Sequence, residues 1–251
     1  MKVKNLKKRI REKNVTIGTW LTIGHTSIVE IIAESSFDWI TIDIEHNLIN
    51  PENLKNLILA GQSRGLAVLV RVPSINEVDI KYALDAGADG IIAPMVNNLN
   101  DAKRLISFSY YPPIGKRGVG LSRAQRFGKN FNGYLKWASE ELILIAQIES
   151  KEAIDNLEEL CQISEIDSFM IGPYDLSASL GMPGSFDEPL VKKYLENFKL
   201  TCKKYRKATG IHIVPVEPKR AKEALDEGYS FIAFGADFNF LLKGCENVSK
   251  I

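Results

Sequence analysis

Four short stretches of this chain end apolar runs in reactive side chains. In W-I-T-I-D-I-E-H (39–46), Ile40, Ile42 and Ile44 alternate with Thr41, Asp43 and Glu45, and His46 follows at once. V-L-V-R-V-P supplies Arg71, I-A-Q-I-E-S supplies Gln147 and Glu149, and I-G-P-Y-D-L-S supplies Asp175. Buried charge is costly unless it is paired, hydrogen-bonded or bound to a metal, so these groups either satisfy one another or meet a ligand. Glu149 and Asp175, two carboxylates without a histidine pair or a thiolate, suit a hard divalent ion such as Mg2+ or Mn2+ that keeps positions for water and substrate oxygen. The competing reading sets Glu149 on the dipole of the next helix and has Asp175 cap a turn. Arg71 is suited to an anion or a carbonyl oxygen, or to an ion pair with Asp43, Glu45 or Asp85. His46 can act as a general base with Asp43 or Glu45 orienting it, or serve structure alone. His25 falls in a loop, and His212 falls inside a strand, where a hydrogen-bonded core role is expected.

The elements that must position these groups alternate from end to end. Two-residue periodicity predicts strands at 16–21, 39–44, 67–71, 90–93, 142–148, 168–171, 211–214 and 231–234. Helical patterns lie at 27–35, 51–64, 77–86, 100–107, 151–161, 189–208, 218–227 and from 237 onward. Thr26 or Ser27 can cap the first of these helices, and Asn50 with Pro51 opens the second. Eight β/α units without a linker or repeat predict a single (β/α)8 TIM barrel over 1–251, with chemistry at the strand C-termini. A doubly wound sheet is the alternative, but no G-x-G-x-x-G joins the first strand to its helix. Segments 108–141 and 172–188 interrupt the alternation, and irregular stretches of that length inside a compact domain tend to be functional. The first contains G-K-R-G-V-G, which lacks the Walker spacing and reads as a solvated basic loop.

Bulk properties narrow the field. The chain has 251 residues, is 45% hydrophobic and carries a formal net charge of +1, a balance that disfavours nucleic acid as the main partner. Cys161, Cys202 and Cys245 form no C-x-x-C and read as reduced thiols of a cytoplasmic protein. No run is long enough to span a bilayer, and the basic N-terminus has no apolar region after it. Val3, Leu6 and Ile10 there suggest a short amphipathic helix with a solvated basic face. G-x-S-x-G, H-E-x-x-H and Walker motifs are missing, and no candidate strand ends in the lysine that Schiff-base chemistry needs.

Taken together, G-T-W-L, F-D-W-I-T-I-D-I-E-H, V-R-V-P, L-D-A-G-A-D-G-I-I-A-P-M-V, Y-Y-P-P-I-G-K-R-G-V-G, Q-I-E-S and I-G-P-Y-D-L-S-A-S-L-G resemble the HpcH/HpaI aldolase family, class II aldolases of pyruvate-type 2-keto acids. The resemblance covers almost the whole chain. It implies a phosphoenolpyruvate/pyruvate-type barrel in which Glu149 and Asp175 hold a divalent ion (Mg2+, Mn2+ or Co2+). It further implies Asp43 with His46 as the proton-handling pair, Arg71 facing the keto oxygen, and Gln147, Gly172 and Pro173 lining the pyruvate site. The implied reaction is reversible cleavage of a 4-hydroxy-2-oxo acid to pyruvate and an aldehyde. The implied assembly is a homo-oligomer, a hexamer built as a trimer of dimers. Ile44, I-H-I-V-P-V-E-P and G-A-D-F-N-F-L depart from the usual pattern and bear on aldehyde choice and oligomer contacts. The rivals are oxaloacetate-type decarboxylation on the same constellation and a catalytically silent barrel used as a binding subunit.

Overall fold

Strand alternation closes the sheet on itself. In this computed structural model, which describes residues 5–246, eight parallel strands pair in sequence order and β8 returns to β1. The strands are β1 (Thr16–Leu21), β2 (Trp39–Asp43), β3 (Ala67–Arg71), β4 (Gly90–Ala93), β5 (Ile143–Ile148), β6 (Ser168–Ile171), β7 (Ala208–Ile213) and β8 (Phe231–Ala236). The helices before β5 are α1 (Leu6–Arg11), α2 (Thr26–Ala33), α3 (Pro51–Ser63), α4 (Glu77–Ala86), α5 (Leu99–Ser109) and α6 (Phe131–Glu140). After β5 come α7 (Lys151–Asp155), α8 (Leu157–Cys161), α9 (Pro173–Ser179), α10 (Pro189–Lys204), α11 (Pro218–Asp226) and α12 (Asp237–Glu246). The expected barrel with its short N-terminal helix is the fold.

The two faces of each strand have separate destinations. Ile40, Ile42, Val68, Val70, Leu144, Ala146 and Ile148 pack outward into the helix layer. Trp39, Ala67, Ile143, Ala208 and Phe231, each the first residue of its strand, meet inside the barrel at its N-terminal end. Trp39 and Phe231 stack there, with ring centroids 4.3 Å apart. The same parity, followed to the other end, makes Trp20, Asp43, Arg71, Gln147 and His212 the inward-facing residues of the uppermost layer. Branched and aromatic side chains fill the lower layers, as in barrels generally, so polar chemistry is confined to the top.

Several local expectations need correction. The basic face of α1 is not solvated throughout: Lys7 is buried, donates to the Leu142 carbonyl at 2.6 Å and lies 3.7 Å from Asp167, while Leu6 and Ile10 close the barrel floor. Val3 lies outside the described residues. His25, not Thr26 or Ser27, caps α2, its Nδ1 accepting from the Ser27 N–H at 3.2 Å. Asn50 and Pro51 do open α3. The helix expected over 151–161 breaks into α7 and α8 at Asn156, whose amide instead donates to the Asn97 carbonyl at 3.0 Å. The two irregular segments contain α6 and α9, helices that the sequence reading left out. Within G-K-R-G-V-G, Arg117 is no solvated base: it is 1% exposed, pairs with Asp85 at 2.6 Å and lies over the rings of Tyr111 and Tyr134. Among the described residues no helix is long and apolar enough to cross a membrane.

Candidate active site

Glu149 follows β5 by one residue and keeps that strand's inward parity. It is 3% exposed. Its Oε2 accepts the Met95 N–H at 3.0 Å, and its Oε1 accepts from the Gln147 side-chain amide. Burial, with the negative charges of Asp175 and Glu45 nearby, pushes its carboxyl up to about 7. Two features of the backbone make room for it. Met95 adopts a left-handed conformation (φ 51°) uncommon for a residue with a side chain, and its N–H thereby reaches the carboxylate. Gly172, at the start of α9, is required because a Cβ there would stand 2.8 Å from Glu149 Cγ and 2.9 Å from Oε1. Pro173 then sets the first turn of α9, and Asp175 lies in that turn, exposed at the barrel mouth.

The strand-two group is organised around Arg71. Its Nε and Nη2 donate to the two oxygens of Asp43 at 2.8 and 2.9 Å, and its Nη1 lies 2.9 Å from Glu45 Oε2. Its guanidinium carbon stands 4.1 Å from the centre of the Trp20 ring. The two bonds to Asp43 engage two of the five N–H groups of the guanidinium, and Glu45 adds an ion pair without hydrogen-bond geometry. Of the partners the sequence offered, Asp43 and Glu45 are taken and Asp85 is not. Asp43 also accepts from the Glu45 N–H at 3.1 Å and from the Asn47 side chain at 2.5 Å. Its lone pairs are thus committed, and the carboxylate beside His46 is Glu45, at 3.7 Å from Nε2. Of the two carboxylates the sequence offered to His46, Glu45 is the one that lies within 4 Å. The imidazole of His46 is exposed, whereas Glu45 is half-buried and is pushed up to about 7, first by burial and against the pull of Arg71.

The donor set fits a divalent cation. Glu149 follows β5 and Asp175 lies in α9, and the charge of Asp175 raises the cost of ionising both Glu149 and Glu45. Gln147 Oε1 is buried without a hydrogen-bond partner once its amide has been given to Glu149. The described residues hold no cluster of three or more His, Cys, Asp and Glu able to cage a metal. Two carboxylates with an open remainder are what Mg2+-type ions use when substrate oxygens complete the sphere.

Two participants lay outside the sequence reading. Trp20 and Met95 act through a ring face and a backbone N–H, properties that residue type does not signal. His212 has the expected hydrogen bond, from Nε2 to the Gly235 carbonyl at 3.1 Å, yet it belongs to the top layer, stacked on Trp20 with ring centroids 4.9 Å apart. Burial lowers its pKa to about 4, so the ring is neutral near pH 7. A cavity of about 700 Å3 lies elsewhere, bordered by Gln62, Gly87, Arg123, Phe127 and Trp137 beside the N-terminal end of β4. None of the groups described above lines it.

Comparison with known proteins shows the family. Residues 16–243 match the family model for HpcH/HpaI aldolase/citrate lyase. A 2-keto-3-deoxy-L-rhamnonate aldolase of Escherichia coli O17:K52:H18 is 38% identical over 238 residues, covering 92% of this chain and 86% of the relative. Its counterpart from Salmonella gallinarum is 36% identical over 233 residues with the same coverage. A solved HpcH/HpaI aldolase/citrate lyase family protein from Burkholderia cenocepacia superposes with a TM-score of 0.92 at 30% identity, over 98% of both chains.

Proposed function

Since the chain belongs to the HpcH/HpaI aldolase/citrate lyase family and is a carbon–carbon lyase, we propose that its barrel mouth cleaves a 4-hydroxy-2-oxo acid reversibly to pyruvate and an aldehyde. One observation carries the site assignment: a carboxylate, Glu149, is buried at 3% exposure and held by two N–H donors beside two further carboxylates. Such an arrangement is unfavourable unless a cation joins it. Glu149 and Asp175 would hold a divalent metal, and when bound it supplies a Lewis acid for the substrate's carboxylate and 2-keto oxygen.

The chain's own groups account for the remaining steps. Arg71, its plane fixed by Asp43, offers its spare N–H groups to the keto oxygen, where negative charge grows as the carbon–carbon bond breaks. A donor that gains strength only in the transition state raises kcat. His46 takes the proton from the 4-hydroxyl while Glu45 orients the imidazole. The C3–C4 bond then breaks, the aldehyde leaves, and the proton returns to C3 of the enolate to give pyruvate. Gln147, Gly172 and Pro173 form the wall against which the keto acid lies.

The same reading includes a cytoplasmic homo-oligomer. It is supported by the exposed Phe238, Leu241 and Leu242 on α12 and by three free cysteines. The deciding experiment incubates the protein with pyruvate, Mg2+, Mn2+ or Co2+ and a panel of aldehydes, and identifies products by mass. Metal-dependent formation of 4-hydroxy-2-oxo acids is expected, and it is abolished by chelator. No adduct with any aldehyde, with or without metal, would overturn the reading.

A further inference from the structure

We propose that His212 is a positioning residue for Arg71, acting through the indole of Trp20; the catalytic meaning of that role rests on the function proposed above. The observations form a chain across four strands. On β7, Ala208 lies in the barrel interior while Ile211 and Ile213 pack against the helix layer, so His212 projects inward at the top. Its Nε2 must carry the hydrogen, because the Gly235 carbonyl on β8 can only accept. That bond fixes the ring plane. The ring lies nearly parallel to Trp20 of β1, at 15° and 4.9 Å between centroids. Trp20 in turn carries the Arg71 guanidinium of β3 at 4.1 Å.

Arg71 needs such support. Its contacts with Asp43 and Glu45 reach all three guanidinium nitrogens, but N–H groups point along the plane of the group and leave its faces unsupported. A planar group held only at its rim can still tilt out of that plane. A ring face against it removes the tilt, and cation–π and aromatic pairing favour the contact. Trp20 cannot provide a fixed face alone, since its Nε1 has no hydrogen-bond partner among the described residues. The stack with the pinned imidazole supplies that constraint. A neutral ring is also required, because an imidazolium would repel the guanidinium across the indole.

The test uses the full chain with His212→Leu, which removes the ring, and His212→Phe, which keeps a ring to stack. Each is made in the wild-type and Arg71→Lys backgrounds. His212→Leu is expected to lower kcat for pyruvate formation about tenfold, the kinetic equivalent of one lost aromatic contact, with a smaller change in KM. His212→Phe should recover most of that loss. In the Arg71→Lys background, which lacks the planar fork, His212→Leu should have little further effect, which is the signature of coupled residues. An independent reading comes from 15N-edited NMR of the substrate-free protein, in which the Arg71 Nε–H signal is identified by its absence from Arg71→Lys. His212→Leu should shift or broaden it and His212→Phe should leave it close to its original position. The proposal is overturned if that signal is unmoved in His212→Leu, or if the kcat losses are equal in both backgrounds. A wild-type protein with no aldolase activity but a moved Arg71 signal would reject the proposed reaction and uphold the positioning.

Discussion

At the scale of single residues, Glu149 is the centre of the proposed metal site. Its carboxyl is pushed up to about 7, so below that pH a cation must displace a proton to gain the ligand. Metal affinity should therefore rise as pH increases from 6 to 8, with proton release detectable by calorimetry in buffers of different ionisation enthalpy. Glu149→Gln keeps the volume and removes the charge; it should abolish both metal binding and proton release, and unchanged binding would disqualify Glu149 as a ligand. His46 tests the reaction class. It stands at the mouth beside Glu45, and in the proposed reaction it takes the proton of the 4-hydroxyl. His46→Ala should slow aldol cleavage about 10²–10⁴-fold, the span of a positioned acid–base group. Oxaloacetate decarboxylation, which needs the same enolate stabilisation but no hydroxyl proton removed, should fall far less in the same variant. Equal losses would point to a disturbed metal site instead.

Among the elements, the two ends of the barrel do different work, and α1 shows the separation. Leu6 and Ile10 seal the floor, and Lys7 reaches the buried Asp167, which also accepts from Arg11 and from the Leu144 N–H at 2.9 Å. Without Lys7, Asp167 keeps Arg11 and the Leu144 N–H, and the main loss is the hydrogen bond to the Leu142 carbonyl. Lys7→Met should cost about 1–2 kcal/mol in urea unfolding. Because the floor is separated from the mouth by the filled interior, kcat at 25 °C should remain close to wild type. A large loss of kcat in a folded Lys7→Met protein would show that the floor communicates with the site.

Over the whole molecule, the site's chemistry and the fold's stability draw on the same groups in opposite senses. Glu149 has a folded pKa above its unfolded value, so the stability it contributes is fully present below about 4.5 and is lost as pH rises through about 7. Glu45 behaves alike. His212 works the other way, since its lowered pKa makes folding more favourable as pH rises from about 4 to its unfolded value. The net slope is a sum, and a difference isolates one part of it. Without metal, Glu149→Gln should gain in melting temperature relative to wild type as pH is raised from 5 to 8. Adding Mn2+ should stabilise only the wild type, and more at pH 8 than at pH 6. A pH-independent gap between the two proteins would show that Glu149 is not perturbed by its surroundings.

The sequence by itself determined the barrel and the set of groups at its mouth, because both are written in local alternation. Thr41, Asp43 and Glu45 opposite Ile40, Ile42 and Ile44 state which face is polar before any neighbour is known. Arg71, Gln147 and Glu149 continue the inward parity of their own strands. Eight such strands with helices between them leave a barrel or a doubly wound sheet, and the missing G-x-G-x-x-G favours the barrel. The tertiary structure alone decided how the groups pair. Asp43 is given to Arg71 and Glu45 to His46 because β2 and β3 lie in register, Asp43 beside Arg71. Arg117 is buried because Tyr111, Tyr134 and Asp85, distant in the chain, close around it. Met95 serves Glu149 through a left-handed backbone, and Trp20 joins His212 to Arg71 across four strands. Alternation is a property of neighbours in sequence, whereas partnership depends on the register and shear of the closed sheet.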